Sequence, residues 1–526
     1  MQIWDYIIVG GGSAGCVLAN RLSENNKMQV LLLEAGRNDN ALRIHIPALE
    51  PFVFGNPKFD WCYGAEPDPS RNGADPIWPA GKVLGGGSSV NGMIYMRGNA
   101  GDYDSWAEDG ISGWSWHEVL PYFRKSEANS RGESQAHGAF GPLAVRDMAT
   151  DHPLNQLFID AAKGAGLPVN DDFNDGEQYG VGTIQATQKR GLRYSAARAY
   201  LHPALRRPNL KVITQAPAAQ LLFEGDRVTG VEYTKDGAHH VARCRGEVIV
   251  SSGAIGSPTL LLRSGIGPAE MLHDAGVPLR AELPVGRNLQ EHPGAYIRAQ
   301  VRIPTFNSEI TPFKAIRYGL EWLLRGAGPI ATPAATCCAF LKTDPGLRHP
   351  DVQVHFAPFS YDYTPGDKVR LPKEPTILIG ANVSRPMARG RVGIRSSDPT
   401  VAPVIEHALW DSDTDRAIMV RALKQISAIL AGAPFGDHLL ENPAAGLTDS
   451  ALEDYVRNNS FMGYHPVGTC AMGRNGVLDD HLRVRGIKGL RVADASAFPR
   501  LPSGNTNAPV IMLAERAADL VLADRG

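Results

Sequence analysis

Apolar residues along the chain recur with two different periods. The short uninterrupted runs Tyr6–Val9 and Val30–Leu33 read as strands buried on both faces, and between them Ala14–Leu22 carries small and apolar side chains at helical spacing. Together they predict one βαβ unit. From Ile46 to Pro79 the pattern dissolves into Pro, Asp, Asn and aromatic residues, which predicts an excursion over the surface. Leu210–Val250 alternates apolar runs with turn signals such as Glu224-Gly225-Asp226, a meander ending in a buried strand at Glu247–Val250. Between Asn307 and Ala402 an amphipathic helix around Ala315–Leu324 precedes strands at Asp351–Phe356 and Arg391–Ile394, the bulk of a second domain. A helix over Asp415–Leu430, a strand at Leu490–Ala493 and a closing helix Ala508–Ala523 complete the chain, which has no internal repeat.

Composition narrows the class. With 526 residues, 43% of them hydrophobic and 21% charged, the chain can bury a large core and divides into more than one domain. Its net charge of −2 supplies no basic field for nucleic acid. The six cysteines contain no C-x-x-C pair and read as buried thiols in a reducing compartment. The first fifteen residues lack the positive flank and apolar core of a secretory signal, and no apolar run approaches the length of a transmembrane span, so the expected location is the cytoplasm.

Candidate chemistry begins at the first turn. Gly10, Gly12 and Gly15 fit G-x-G-x-x-G directly after a strand and at a helix start, where glycines permit a tight turn and close approach of a pyrophosphate to the helix N-terminus. Glu34, nineteen residues beyond Gly15, ends the second strand, where a carboxylate can accept from both ribose hydroxyls. This placement predicts a dinucleotide but does not separate NAD from FAD. The late strand Leu490–Ala493 delivers Asp494 to its carboxyl end, which predicts a cofactor held by both ends of the chain. A second glycine-rich stretch, "AGKVLGGGSSVNGMIYMRG" (Ala80–Gly98), runs into apolar Met93–Met96 and reads as a buried turn facing a ligand.

From Gly81 through Gly85-Gly86-Gly87-Ser88-Ser89, Asn91, Tyr95 and Gly98 to Asp104, and again over "GAIGSPTLLLRSGIG" (Gly253–Gly267), the chain resembles the glucose-methanol-choline (GMC) family of FAD-dependent oxidoreductases. The resemblance covers essentially the whole chain. It implies an α/β fold with a Rossmann-like FAD-binding domain, discontinuous over residues 1–155, 205–300 and 455–526. An α+β substrate-binding domain built on an antiparallel sheet takes 156–204 and 301–454. The implied FAD contacts are Gly10, Gly12, Ser13, Ala14, Gly15, Glu34, Ala35, Val83, Gly87, Ser88, Asn91, Gly92, Ala218, Asp494, Ala495, Asn505 and Thr506. In some family members a histidine of the Gly-Gly-x-Ser-Ser loop tethers FAD covalently. The corresponding residue here is Val90, so the flavin is expected to be noncovalent, and no metal is expected.

The same resemblance picks one histidine from fifteen. His465, in "NNSFMGYHPVGTCAMG", and Asn505, in "PSGNTNAPV", fall where the family carries a His–His or His–Asn pair facing the flavin. A neutral imidazole can take the hydroxyl proton of an alcohol while hydride leaves for flavin N5, and Asn505 can donate to the developing alkoxide. Neighbouring Asn507 is assigned to the turn or helix start, and His292 in "VGRNLQEHP" to a supporting role. The implied reaction is oxidation of a primary alcohol, with oxygen or a quinone or dye as acceptor. A polyol, sugar or choline dehydrogenase is the sibling reading, and a non-redox flavoprotein lyase or a binding protein the distant one, disfavoured by the His465–Asn505 pair. Phe359, Tyr361, Phe461 and Tyr464 are candidate substrate walls, and no carboxylate for a choline cation is identified. The alcohol, the acceptor and the oligomeric state stay open.

Overall fold

Trp4 to Val9 are buried on both faces of their strand, which only a central position in a covered sheet allows. The computed structural model describes residues 2–72, 77–148, 150–361 and 370–525. In it, Ile3–Val9 pairs in parallel with Val30–Leu33 on one side and with Ala238–Val250 on the other. The helix Ser13–Leu22 crosses between the first two strands. Arg227–Lys235 and Ala218–Glu224 extend the sheet as an antiparallel meander, and Leu490–Val492 joins the end of Ala238–Val250 in parallel, so the C-terminal part of the chain completes the N-terminal sheet. Leu210–Ile213, expected as the first rung of the meander, instead pairs in parallel with Val30–Leu33 at the opposite edge. Apolar alternation alone does not distinguish a hairpin partner from a parallel edge strand.

The second sheet is antiparallel in all its pairings, in the order Leu439–Glu441, Pro293–Val301, Thr376–Val383, Val352–Ala357, Cys337–Leu341, Gly180–Thr183, with Ser460–Met462 also on Pro293–Val301. Its strands Pro293–Val301 and Ser460–Met462 come from segments expected to belong to the first domain. Strand alternation gives the sheet two faces with different duties. Val352, Val354 and Phe356, with Ile377, Ile379 and Ala381, join the core beneath the helices Pro153–Gly164 and Asp413–Ala431; Phe158 stacks on Phe356 at 4.5 Å. The intervening residues His355, Ala357, Leu378, Gly380 and Asn382, with Tyr296 and Arg298, line a cavity between the two sheets.

The stretch Ile46–Pro79 corrects its surface expectation. Glu50, Phe54, Trp61, Tyr63 and Arg71 line the same cavity, while Val53, Phe59 and Trp78 are buried. Irregular backbone can lie this deep because two aspartates satisfy its donors. Asp60 accepts from the backbone N–H groups of Gly55, Cys62 and Ala80, and Asp68 from those of Ser70 and Leu409. The six cysteines are free thiols, five of them buried.

Candidate active site

The cavity has a volume of about 850 Å³ and runs from the first turn of the parallel sheet to the underside of the antiparallel one. Its narrow arm is built from backbone. Gly10 has φ +105°, and a Cβ there would collide with the carbonyl of Ser251; a Cβ on Gly15 would collide with the carbonyl of Gly10. These two glycines let the turn close. At Gly87, by contrast, a Cβ would meet nothing within 4 Å, and the residue lines the cavity beside Gly12, Ser13 and Ala14. The wall at this point is shaped for a ligand that lies against main chain, as the pyrophosphate of a dinucleotide does.

Glu34 and Ala35 line the same arm, with Ala218 next to them in the meander. Glu34 accepts from the backbone N–H groups of Gly11 (2.7 Å) and Gly36 (2.6 Å), and burial pushes its carboxyl up to about 7. Asp494 lines the wall, but its oxygens accept from Gly253 N, Ser257 Oγ and Ser496, a brace between the last strand of the parallel sheet and the helix Gly253–Arg263. Ala495, Thr506, Asn91 and Gly92 also line the cavity. Gly15, Val83 and Ser88 lie behind the wall: Val83 is core, and Ser88 Oγ donates to the carbonyl of Gly85 while accepting from Ala196 N. Asn507 is the first residue of the closing helix and accepts from Ser13 Oγ at 2.8 Å, a helix-start role.

His465 and Asn505 meet at the other end, with Asn505 Nδ2 and His465 Nε2 3.2 Å apart. Tyr361, Phe461 and Tyr464 line this end, with Tyr464 edge-on to Phe54 and Phe461 stacked on Tyr296. Phe359 is not on the wall and stacks behind Tyr361. His292 stands behind His465. Its Nε2 lies 3.1 Å from the carbonyl of Ser384, which accepts only, so that nitrogen carries the proton. Its Nδ1 is then an acceptor, 3.0 Å from His465 Nδ1, which must donate. The proton order of the whole row follows from the one carbonyl, and it leaves the lone pair of His465 on Nε2, facing Asn505.

Sequence reasoning missed three residues here. Glu291 accepts from the backbone N–H groups of both His465 and His292 and so fixes the two imidazoles relative to each other; burial pushes its carboxyl up to about 8 against the pull of those donors. Gln353 donates to Asn505 Oδ1 at 3.2 Å, which turns the Asn505 amide NH₂ toward His465. His355 lies beside Asn505 and Asn382, and its buried Nε2 makes no hydrogen bond among the described residues. Strand periodicity was the available signal, because Gln353 and His355 are polar positions alternating with Val352, Val354 and Phe356. Burial lowers His292 and His355 to about 4 each. Burial lowers His465 well below the usual histidine value too, with His292 and His355 adding to it. Among the described residues no group of three His, Cys, Asp or Glu side chains could hold a metal ion.

Comparison with known proteins gives this arrangement a lineage. The chain is 40% identical to mitochondrial choline dehydrogenase of Homo sapiens over 98% of its length and 89% of that protein. It is 39% identical to the oxygen-dependent choline dehydrogenase of Brucella suis, over 98% and 95%. Pyridoxine 4-oxidase from Mesorbium loti superposes with a TM-score of 0.89 at 29% identity, covering 98% of each chain. The description "GMC oxidoreductase" matches twice, over residues 4–294 and 386–514. With the glycine-lined arm and the histidine row on one cavity, and relatives along nearly its full length, the chain belongs to the GMC oxidoreductase family.

Proposed function

We propose that the chain oxidises a primary alcohol to the aldehyde, with FAD bound noncovalently along the glycine-lined arm and His465 as the base. GMC oxidoreductases are FAD-binding proteins, and the wall here fits one: Gly12 and Gly87 open on the cavity where side chains would intrude, and Glu34 stands at the ribose end. Val90, the residue beside the flavin loop, is a hydrocarbon with no nucleophile to form a covalent tether. Bound there, FAD supplies the two-electron acceptor for the hydride that leaves the substrate carbon.

The observation that carries the proposal is the ordered row from the Ser384 carbonyl through His292 to His465. It presents an unprotonated Nε2 to the cavity, next to an amide donor. A hydroxyl entering between the two donates its proton to His465 Nε2, and its oxygen accepts from Asn505 Nδ2–H. His355, whose Nε2 is unpartnered, is the second polar group available to that oxygen. When His465 takes the proton, His292 Nδ1 keeps accepting from the imidazolium, so the charge forms inside an existing hydrogen bond.

Choline is the second reading, favoured by the two choline dehydrogenase relatives and by Glu50, a carboxylate on the cavity wall one turn before Phe54. Arg71 shares that wall and works against a cationic substrate. The test is anaerobic mixing of the holoenzyme with choline and with benzylic, furanic, aliphatic and polyol alcohols, following the loss of flavin absorbance. Loss of colour with a primary alcohol, slowed by about 10² to 10⁴-fold in His465→Ala, is the expected result. An unchanged rate in that variant removes His465 as base. Reoxidation of the reduced enzyme by oxygen, compared with a quinone, assigns the acceptor.

A further inference from the structure

The helix Pro312–Arg325 is amphipathic the wrong way round. It has no buried residue, and its apolar side chains Phe313, Ile316, Leu320, Leu323 and Leu324 are between 54% and 82% exposed. Their spacing of three and four puts them on one stripe. That stripe points away from the protein, because the opposite side of the helix makes the attachments: Trp322 Nε1 donates to the carbonyl of Gly191 at 2.8 Å, and Gly326 packs on the backbone of Arg190 and Gly191. With Ile310, six of the eighteen strongly exposed large hydrophobic side chains among the described residues fall within these fifteen positions, so the patch is not scatter.

Charge decides what covers it. The helix carries Lys314, Arg317 and Arg325, and the hairpin that anchors its end adds exposed Lys189 and Arg190. Among the described residues the carboxylates beside them are Glu309, paired with Lys314 at 2.8 Å, and Glu321, turned back against Gly328. An apolar stripe with a basic rim complements an anionic lipid surface. A second copy meeting the same patch about a two-fold axis would set one basic rim against another. At fourteen residues the helix reaches about 21 Å, too short to cross a bilayer core of about 30 Å. We propose that this face docks on an anionic phospholipid bilayer, with the helix Pro312–Arg325 lying in the headgroup region.

The docked face adjoins the cavity. The short helix Pro329–Ala331 that follows packs on Pro47–Phe52, whose Glu50 and Pro51 line the cavity and whose Phe52 is exposed on the outer side. Ala334 and Ala335 continue the same wall. A molecule dissolved in the bilayer therefore has a short way to the site.

Flotation of the holoprotein with vesicles of phosphatidylcholine, with and without phosphatidylglycerol, tests the proposal without turnover. The wild type is expected to float with the anionic vesicles, less with phosphatidylcholine alone, and less again at high salt. Replacing Leu320→Ser, Leu323→Ser and Leu324→Ser together is expected to lower the partition by about a hundredfold with dye-linked activity retained. The pair Arg317→Glu and Arg325→Glu, which touches no apolar contact, is expected to lose at least about tenfold on anionic vesicles only. A wild type that floats with neither vesicle, or variants that float as well as it does, overturns the proposal. So does a wild-type dimer in sedimentation velocity that the leucine variant dissociates, which assigns the face to a second copy.

Discussion

His465 is held neutral by its surroundings, first by burial and then by His292 and His355. The neutral form is the one that accepts a proton, and lowering the pKa keeps it populated further into acid. The rate of flavin reduction is therefore expected to stay level as pH falls from 7 through about 6.5 and to decline only below it. A limb centred at or above the ordinary histidine value would contradict this environment. In the proposed mechanism His292 acts through His465 as a positioning residue. Removing its acceptor in His292→Phe frees the His465 ring to take the other tautomer and is expected to slow reduction on the order of 10²-fold, with KM little changed. His292→Asn, which offers an acceptor oxygen, is expected to restore part of the rate. A different histidine contributes to the pH dependence of stability. His137 lies between Glu127 (2.9 Å) and Asp172 (2.6 Å); burial opposes its charge, but these two carboxylates outweigh it and raise the imidazole to about 9. A raised folded-state pKa contributes stability that is fully present below the unfolded value of about 6.5 and is lost as pH rises through about 9. Urea midpoints measured across that window are expected to fall with rising pH, and to fall less steeply in His137→Gln.

Two adjacent glycines are expected to separate folding from cofactor binding within one turn. Gly86 has φ +50°, and a Cβ there would stand 2.7 Å from the Cα of Gly12, so Gly86→Ala strains the backbone contact between the two glycine loops. Gly87→Val adds its side chain to open cavity and is expected to leave the circular dichroism and melting of the apoprotein unchanged while lowering FAD affinity, read by titration of flavin fluorescence. Equal affinity would move the flavin away from this wall. The parallel sheet and the glycine turns were legible in the sequence because uninterrupted apolar runs and φ-demanding glycines are local signals; Val30–Leu33 has the bounds its pattern predicts. The antiparallel sheet was legible only as scattered strands, since its neighbours lie far apart in the chain: Pro293–Val301 pairs with both Thr376–Val383 and Ser460–Met462. Ile46–Pro79 was misleading because its polar residues, read as solvated, turn inward to satisfy buried backbone at Asp60 and Asp68. At the site, His465 and Asn505 came from resemblance. Strand alternation marked Gln353 and His355 as a polar face, but their place beside Asn505, like that of Glu291 beside His465, needed strand pairings that no local pattern sets.

Across the whole molecule the first and last helices are fastened to each other. Arg21 Nε and Nη2 both reach Glu515, at 2.8 and 2.7 Å, and Tyr200 donates to the same carboxylate at 2.8 Å. Glu515 is fully buried, so Glu515→Ala leaves the buried Tyr200 hydroxyl without its partner and Arg21 with Glu24 alone, and is expected to cost about 1 to 3 kcal/mol in chemical denaturation. Glu515→Gln, which keeps an acceptor for Tyr200, is expected to cost less. Leu490–Val492 and Asn507–Ala523 also flank Asp494, Ala495 and Thr506 on the cavity wall proposed to hold the dinucleotide. Protein synthesis runs from the other end. The glycine turn at Gly10–Gly15 is made before the strand that closes its sheet and the helix packed on Ser13–Leu22, which follow hundreds of residues later. Until then the nascent chain holds half of the proposed cofactor site, and flavin loading is expected to wait until Leu490–Val492 and Asn507–Ala523 have folded onto it.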